Sequence, residues 1–348
     1  MTTTSPTTTP GLIPEALPQS ALDQYVRVRV GNLELAMNTV RLSGVFQLSR
    51  QHRLTEKNTV LTAKGEFPVV SLADIVSDRL KMSCGDDFEG KALIAVEHEG
   101  QISMVRADSV SRPATIRVEH VHPMPRIANS QDGTRLIRAM ANVNPAVSNP
   151  DESIRFIFDP LVALGHEVAE EADKPNPLPK QAASAIAAAA ATSRRATASG
   201  GKKSGQLLAF VPEDVSRREV ERVFCLPLTA IAEVVTTKQQ LNSFGTTDIF
   251  EGFVLWRQVP VPIVRLGKIF GFSKDEPVEG SRRLVIARAT GNRFIGFYTK
   301  PQMQTMKVPS ALPGNAAALE GRPHLGCFRT EFAEMVVPDM NRILDKKF

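Results

Sequence analysis

The sequence predicts an all-β protein with a few short helices, organised as two similar bodies joined by a linker. Short strand-like runs separated by turn signals recur through residues 22–166 and 207–348, a pattern typical of barrels and sandwiches. The long crossover helices that a parallel doubly wound sheet requires are missing from both stretches. Similar segments also recur 180 to 194 residues apart, a spacing that indicates a duplicated domain rather than a solenoid.

The first body opens with a predicted β-hairpin. Residues 26–30 alternate valine with arginine, Gly31-Asn32 supplies a turn, and the alternation continues through residues 33–37. This pattern buries one face of each strand. Further strands of the first body are predicted at 67–72, 92–96, 102–105, 116–121 and 154–158.

The second body repeats the pattern of short strands and turns. Turn signals occur at Gly245, Gly291-Asn292 and Gly314-Asn315, which bound the strands and favour an antiparallel arrangement. Strands are predicted at 207–211, 223–228, 253–256, 259–266, 284–289, 294–298 and 332–337.

Few segments favour helix. Ser71 followed by Asp74 resembles a capping box at the start of an amphipathic run, and it predicts a helix over 71–80. Three other short helices are predicted, at 134–143, 266–270 and 340–344.

Two stretches differ from the bodies in composition. Residues 1–20 are rich in threonine and proline, and such a segment cannot bury enough apolar surface to order itself. Residues 171–206 are rich in proline, alanine and lysine, which is typical of a linker. We therefore predict a tail at 1–20, an N-terminal domain at 21–170, the linker at 171–206 and a C-terminal domain at 207–348.

The location of the charge bears on possible partners. Residues 176–205 hold five lysines and arginines and no acid, which equals the net charge of +5 for the whole chain. We interpret this local excess of basic residues as solvated charge on a linker. The competing hypothesis is that the linker contacts the phosphates of a nucleic acid. No apolar run reaches the roughly 18 residues of a membrane span. We expect no nucleic acid, no membrane insertion and a cytoplasmic location.

Residue patterns that carry enzyme chemistry are missing. Cys84, Cys225 and Cys327 are far apart, which argues against a disulfide framework or a structural zinc site. His120 and His122 could ligate a metal from one strand face, but a third and a fourth ligand are not evident. No nucleophile elbow, HExxH motif or dinucleotide fingerprint occurs. We therefore expect no enzyme activity, no metal and no other cofactor.

The two bodies can be aligned segment by segment. Residues 33–40 match 224–231, and residues 67–72 match 261–266. Two similar surfaces on one chain favour bridging of partners over chemistry at a single site.

Three segments of the second body together resemble the CheW family of chemotaxis adaptors. Residues 224–235 resemble the segment entering its first subdomain, and residues 256–266 resemble its Leu-Arg-Gly-x-x-x-Pro-x-x-Asp-Leu stretch. Residues 339–344 resemble its closing Asp-Leu-Asp-Arg-Leu-Leu. The first body resembles the family more weakly over 22–166.

The sequence departs from the family pattern at defined positions. Gln258 stands where the family has glycine, and Arg265 stands where it has aspartate. In the first body the arginine position falls on Ala63, and the glycine is displaced to Gly65. We expect these changes to affect partner binding by the first body more than its fold.

The resemblance implies a fold and a role. The implied fold is two tandem CheW-like domains, each built from two small five-stranded β-barrel subdomains. The implied role is non-enzymatic coupling of a chemoreceptor's cytoplasmic signalling tip to the regulatory domain of a CheA-type histidine kinase. Chemotaxis and another pathway built on the same modules, such as twitching motility, are both consistent with it.

The candidate partner-binding residues are Trp256, Arg257, Pro262 and Arg265, and Arg257 matches the arginine of the family. Because proline cannot donate to a strand ladder, the Val-Pro-Val-Pro run predicts an edge strand or one that ends at a bulge. Arginine and tryptophan are favoured at interface hot spots. The competing interpretations are a solvated Arg257 paired with an acid, packing for Trp256 and a drifted surface residue for Arg265.

The sequence alone is also consistent with a second class of function. The chain could be a β-barrel ligand-binding protein or an enzyme whose site is built from loops that carry no recognisable motif. Such a site requires a pocket with converging polar groups and shifted titratable residues.

Overall fold

The structure is a computed structural model. The residues that it describes are 24–48, 53–55, 58–62, 65–80, 82–85, 88–128, 136–144, 146–147, 149–166, 205–215, 222–236, 241–272, 283–307, 319–330 and 333–346. The predicted tail, all but the last two residues of the predicted linker, and the predicted turn at Gly314-Asn315 lie outside these ranges.

The described chain is mostly β with short helices, as the sequence predicts. The strands of the N-terminal half are β1 Gln24–Val30, β2 Leu33–Asn38, β3 Leu42–Gln47, β4 Arg53–Leu54, β5 Thr59–Thr62, β6 Gly65–Ser71, β7 Ala92–His98, β8 Gln101–Ala107, β9 Ser109–Val110, β10 Ala114–Thr115, β11 Val121–Pro123, β12 Ile137–Asn142 and β13 Ile154–Phe158. Those of the C-terminal half are β14 Gln206–Pro212, β15 Arg222–Pro227, β16 Ile231–Thr236, β17 Phe250–Trp256, β18 Val259–Val264, β19 Arg283–Arg288, β20 Phe294–Lys307, β21 His324–Arg329 and β22 Glu334–Pro338.

The helices are short and lie at strand ends. The α-helices are α1 Leu72–Leu80, α2 Pro150–Ser153, α3 Pro160–Ala163, α4 Leu266–Phe270 and α5 Met340–Leu344. Single 3-10 turns occur at Thr39–Arg41, Val118–His120, Arg126–Ala128 and Leu228–Ala230. The predicted helices at 71–80, 266–270 and 340–344 are thus confirmed to within one residue.

The N-terminal half contains two sheets. In the first, β1 and β2 form the predicted hairpin, β2 runs parallel to β13, and β13 is antiparallel to β12. In the second, the strand order is β3-β7-β8-β6-β5-β4, and β6 is parallel to β8. Each sheet therefore combines antiparallel hairpins with one parallel pair.

The C-terminal half repeats this order of pairing. Strands β14 and β15 are antiparallel, β15 runs parallel to β22, and β22 is antiparallel to β21. Strands β16, β19 and β20 are antiparallel neighbours, and β18 is parallel to β20. The 14-residue strand β20 joins both arrangements, because it also pairs with β14.

Closed five-stranded barrels, which we predicted, are not found in the described chain. The ladders end at open edges, at β10 and β11 in one sheet, at β3 and β4 in the next, and at β16 and β21 in the third. Strands β4, β9 and β10 have two residues each, which is too short for a closing ladder. The sheets instead bury their inner faces against one another in a shared apolar core.

Two local predictions were wrong. The predicted helix at 134–143 is strand β12, whose residues pair with β13. Most of the predicted strand at 116–121 is irregular backbone and a 3-10 turn.

Of the two alternatives predicted for the Val-Pro-Val-Pro strand, the structure contradicts the edge. Strand β18 pairs with β17 on one side and with β20 on the other. Its last two residues, Ile263 and Val264, lie opposite a register irregularity of β17 between Phe250 and Gly252.

Aromatic side chains join the two halves. Phe156 of β13 stacks on Phe244 with ring centroids 3.7 Å apart, and its centroid lies 5.7 Å from that of Phe253 on β17. All three rings are buried. Beside them, the Asn142 side-chain amide donates to the Gln258 carbonyl at 3.2 Å. The first sheet of the N-terminal half is therefore packed on the β17–β18 hairpin.

Candidate partner-binding site

The turn between β17 and β18 carries two of the predicted site residues. Arg257 and Gln258 connect the paired residues Trp256 and Val259, and both have positive φ, 49° and 69°. Two positive φ angles are typical of a type I′ turn, which normally favours glycine or asparagine. Non-glycine residues in this region cost of order 1–3 kcal/mol each. The turn is stabilised here by the contacts that its side chains and carbonyl make.

One carboxylate organises the side chains at this turn. Glu233 on β16 accepts from the Trp256 indole N–H at 2.9 Å and from Arg257 Nε and Nη2 at 3.2 and 2.9 Å. The Arg257 guanidinium also lies 5.3 Å from the centroid of the Trp256 ring, within the range of a cation–π contact. We call these three residues the Glu233 cluster.

The Glu233 cluster has a buried base and an exposed top. Trp256 is 4% exposed and packs on Phe294 at a centroid distance of 4.9 Å. The side chains of Arg257 and Glu233 are 43% and 35% exposed. Trp256 thus packs in the core, and Arg257 pairs with an acid, as the competing interpretations stated. The guanidinium of Arg257 is nevertheless held in place and exposed to solvent.

Arg265 lies at the other end of β18, away from the Glu233 cluster. Its Nε donates to Glu251 at 3.0 Å, across the irregular end of β17. Arg265 is the residue before α4, and its side chain makes no capping hydrogen bond. The structure therefore does not bring Arg265 together with Arg257.

An aspartate from another strand end caps α4 instead. The Asp214 carboxylate accepts from the backbone N–H groups of Gly267 and Lys268 at 3.0 and 2.9 Å. Burial raises the pKa of Asp214, while these two backbone hydrogen bonds act in the opposite direction. Asp214 thus caps α4, and Arg265, which stands where the family has aspartate, pairs with Glu251.

Pro262 belongs to a face that the N-terminal half covers. On the outer side of the β17–β18 hairpin, Phe253 pairs with Pro262 and Leu255 pairs with Pro260. Phe253 and both prolines are buried, and Pro260 and Pro262 line a cavity shared with residues of β11 and β12. Pro262 is therefore a contact between the halves of the chain.

Among the described residues of the N-terminal half, no counterpart of the Glu233 cluster is found. The strand registers place Gly44 where β16 has Glu233, and Thr62 where β17 has Trp256. Ala63, which follows Thr62 at the Arg257 position, lies outside the described residues. Sequence reasoning did not single out Glu233, although a glutamate between apolar residues of β16 was the available signal.

Other candidate chemistry is sparse in the described regions. Across the part of the chain that the structure describes, no three His, Cys, Asp or Glu side chains are grouped so as to hold a metal ion. His120 ends a 3-10 turn whereas His122 lies in β11, so the two histidines do not lie on one strand face. The cysteines are buried and unbonded to one another. None of the described helices is long and apolar enough to cross a membrane.

Comparison with known proteins finds a family match in the second half. Residues 218–348 match the family described as CheW-like domain. The match occurs once and does not extend to the first half. The crystal structure of the scaffolding protein TtCheW from Thermoanaerobacter tengcongensis aligns with 42% of this chain and 90% of its own, with 16% identity and a TM-score of 0.35. Comparison with curated proteins finds no match.

Proposed function

We propose that the chain is a non-enzymatic adaptor that couples the cytoplasmic tip of a chemoreceptor to a CheA-type histidine kinase. The observation that carries this proposal is the CheW-like domain at residues 218–348. In this proposal Arg257 of the Glu233 cluster is the anchor of a protein–protein contact.

The geometry of the cluster supports the role of an anchor. Binding immobilises a flexible side chain at a cost of about 0.5–1.5 kcal/mol. The hydrogen bonds to Glu233 and the stacking on Trp256 already hold the guanidinium of Arg257 in place. Arg257 has therefore already lost part of its side-chain freedom in the free protein, so it loses less on binding. This allows Arg257 to act as a hot-spot residue.

We further propose that the N-terminal half is a second, divergent CheW-like domain. Its support is the recurrence in both halves of the same strand pairings, including the two parallel pairs. Because this half has Gly44 and Thr62 in place of Glu233 and Trp256, it lacks the anchor. In this proposal the two halves contact partners through different surfaces.

Co-sedimentation of the full-length protein with receptor tips and with the kinase regulatory domain tests the proposal. We expect wild-type protein to be retained by at least one of the two. Arg257→Asn should weaken this retention about fivefold or more, the effect of losing a contact worth over 1 kcal/mol. Asparagine is chosen because it tolerates the positive φ of the turn.

The matched control is Arg112→Ala, which removes an exposed arginine of the N-terminal half and should leave retention unchanged. Thermal unfolding of both variants checks that the fold is intact. Wild-type protein that binds neither partner would contradict the adaptor role. Equal retention of wild type and Arg257→Asn would remove Arg257 from the site.

A further inference from the structure

The turn that presents Arg257 receives a hydrogen bond from the N-terminal half of the chain. The side-chain amide of Asn142, the last residue of β12, donates to the Gln258 carbonyl at 3.2 Å. Because a carbonyl oxygen can only accept, the NH2 end of this amide has to face it. The turn is thus tied to a side chain that lies 116 residues earlier in the sequence.

Asn142 is held rigidly in the N-terminal half. It is 1% exposed, and its backbone pairs with Ile154 of β13. The N–H of the next residue, Val143, donates to the Ser153 carbonyl at 2.8 Å. A buried side chain on a paired strand is confined to few rotamers by its neighbours. The amide of Asn142 therefore points in one direction, and its hydrogen bond can orient the carbonyl that accepts it.

The turn has a conformation that requires such an orienting contact. Arg257 and Gln258 both have positive φ angles, which glycine adopts at no steric cost and other residues adopt rarely. Gln258 is only half-buried, so without the hydrogen bond its carbonyl could turn towards water and its backbone could leave the left-handed region. Because Arg257 is the adjacent residue, that change would move the guanidinium away from Glu233.

We propose that Asn142 is a positioning residue for Arg257. By holding the Gln258 carbonyl, Asn142 keeps the turn left-handed and keeps the guanidinium of Arg257 against Glu233. The consequence for partner binding rests on the proposed function, in which Arg257 is the anchor. The N-terminal half then supports this contact without touching the partner there, and the anchor depends on the packing of the two halves.

The full-length variant Asn142→Leu tests this role. Leucine has a similar size, and Oδ1 of Asn142 has no hydrogen-bond partner among the described residues, so the change removes the hydrogen bond to Gln258 and keeps the shape. Hydrogen exchange of the Arg257 Nε–H, followed by NMR, should become about threefold faster, the effect of losing one hydrogen bond of ordinary strength. The indole N–H resonance of Trp256, which shares the same carboxylate, should shift. Retention by a receptor tip or by the kinase regulatory domain should fall about threefold.

A second substitution separates positioning from packing. Glycine adopts positive φ without outside support, so Gln258→Gly added to Asn142→Leu should return the exchange rate and the retention to within about 1.5-fold of the wild type. A glycine in the turn would not correct a defect in the core around residue 142. If Asn142→Leu does not fold, Asn142→Ala removes the same donor without adding volume, and the same results are expected.

The matched control breaks a different hydrogen bond between the halves. The Asn242 side-chain amide donates to the carboxylate of Asp151 at 2.9 Å, and this contact does not include the turn. Asp151 is exposed, so Asp151→Ala should leave the exchange rate, the indole resonance and the retention unchanged. Thermal unfolding of every variant verifies that the protein is folded.

Three results would overturn the positioning role. One is a folded Asn142→Leu protein in which the exchange of Arg257 and the resonance of Trp256 are unchanged. The others are an effect that Gln258→Gly does not reverse and an effect that Asp151→Ala reproduces. Wild-type protein that binds neither partner would contradict the adaptor role alone, because the NMR measurements need no partner and still decide the role of Asn142.

Discussion

Replacing Gly267 by alanine is expected to destabilise the protein, although alanine normally stabilises a helix interior by about 1 kcal/mol relative to glycine. A Cβ atom at Gly267 would lie 2.8 Å from Cγ and Oδ2 of Asp214. The carboxylate would have to move away, and both of its hydrogen bonds to the start of α4 would be lost.

The magnitude follows from these contacts. Loss of a helix cap costs about 0.5–2 kcal/mol, and a buried carboxylate deprived of its donors costs about 1–3 kcal/mol more. After the gain from alanine is subtracted, we expect Gly267→Ala to lower the free energy of unfolding by about 2 kcal/mol.

A double-mutant cycle separates this effect from general crowding. In an Asp214→Ala background the Cβ of residue 267 meets no carboxylate, so Gly267→Ala should then stabilise the protein by about 1 kcal/mol. Urea unfolding followed by the fluorescence of Trp256, the single tryptophan of the chain, reports on this half. Equal effects of Gly267→Ala in both backgrounds would refute the capping role of Asp214.

Three further outcomes are expected. Phe156→Ala should cost about 3–5 kcal/mol and make the halves unfold at different urea concentrations, because its ring joins Phe244 and Phe253 across them; coincident far-ultraviolet and fluorescence transitions would contradict this. Because burial raises the pKa of Cys225 to about 12, its thiol should resist iodoacetamide at pH 8 until the protein unfolds, and labelling at the rate of a free thiol would count against it. Burial raises the pKa of Asp214 above 3.8 in the folded state. The contribution of Asp214 to the free energy of unfolding is therefore complete below pH 3.8 and declines as the pH rises through the folded pKa. Urea unfolding between pH 3 and 7 should show this decline in the wild type, and the decline should be absent in Asp214→Asn.

The parts of the fold that local chemistry determines could be predicted from the sequence. The hydroxyl oxygen of Ser71 accepts from the backbone N–H of Asp74 at the start of α1, as the capping box predicts. The Asp339 carboxylate likewise accepts from the N–H groups of Asn341 and Arg342 at the start of α5. These signals lie within a few residues of the helix that they begin, so one sequence is sufficient to find them.

The parts that depend on distant residues could not be predicted. The residues of strand β12 favour a short helix in isolation, and pairing with β11 and β13 holds them extended. Asp214 lies more than 50 residues before the helix that it caps, and Glu233 lies 24 residues from Arg257. No local sequence pattern predicts either contact, because the register of the sheets determines which side chains lie next to each other.

The same register explains why the two halves are not interchangeable. On the outer face of the β17–β18 hairpin the paired residues are apolar, and the N-terminal half covers them. In the equivalent β5–β6 hairpin, Thr59 replaces Phe253 and Glu66 replaces Pro260. Thr59 and Glu66 are hydrogen-bonded to each other, and Glu66 is exposed. A threonine and a glutamate suit contact with water, whereas a phenylalanine and a proline require a cover. The two halves therefore differ in what they expose: the N-terminal half covers the β17–β18 hairpin, and the C-terminal half presents the exposed Arg257 of the Glu233 cluster.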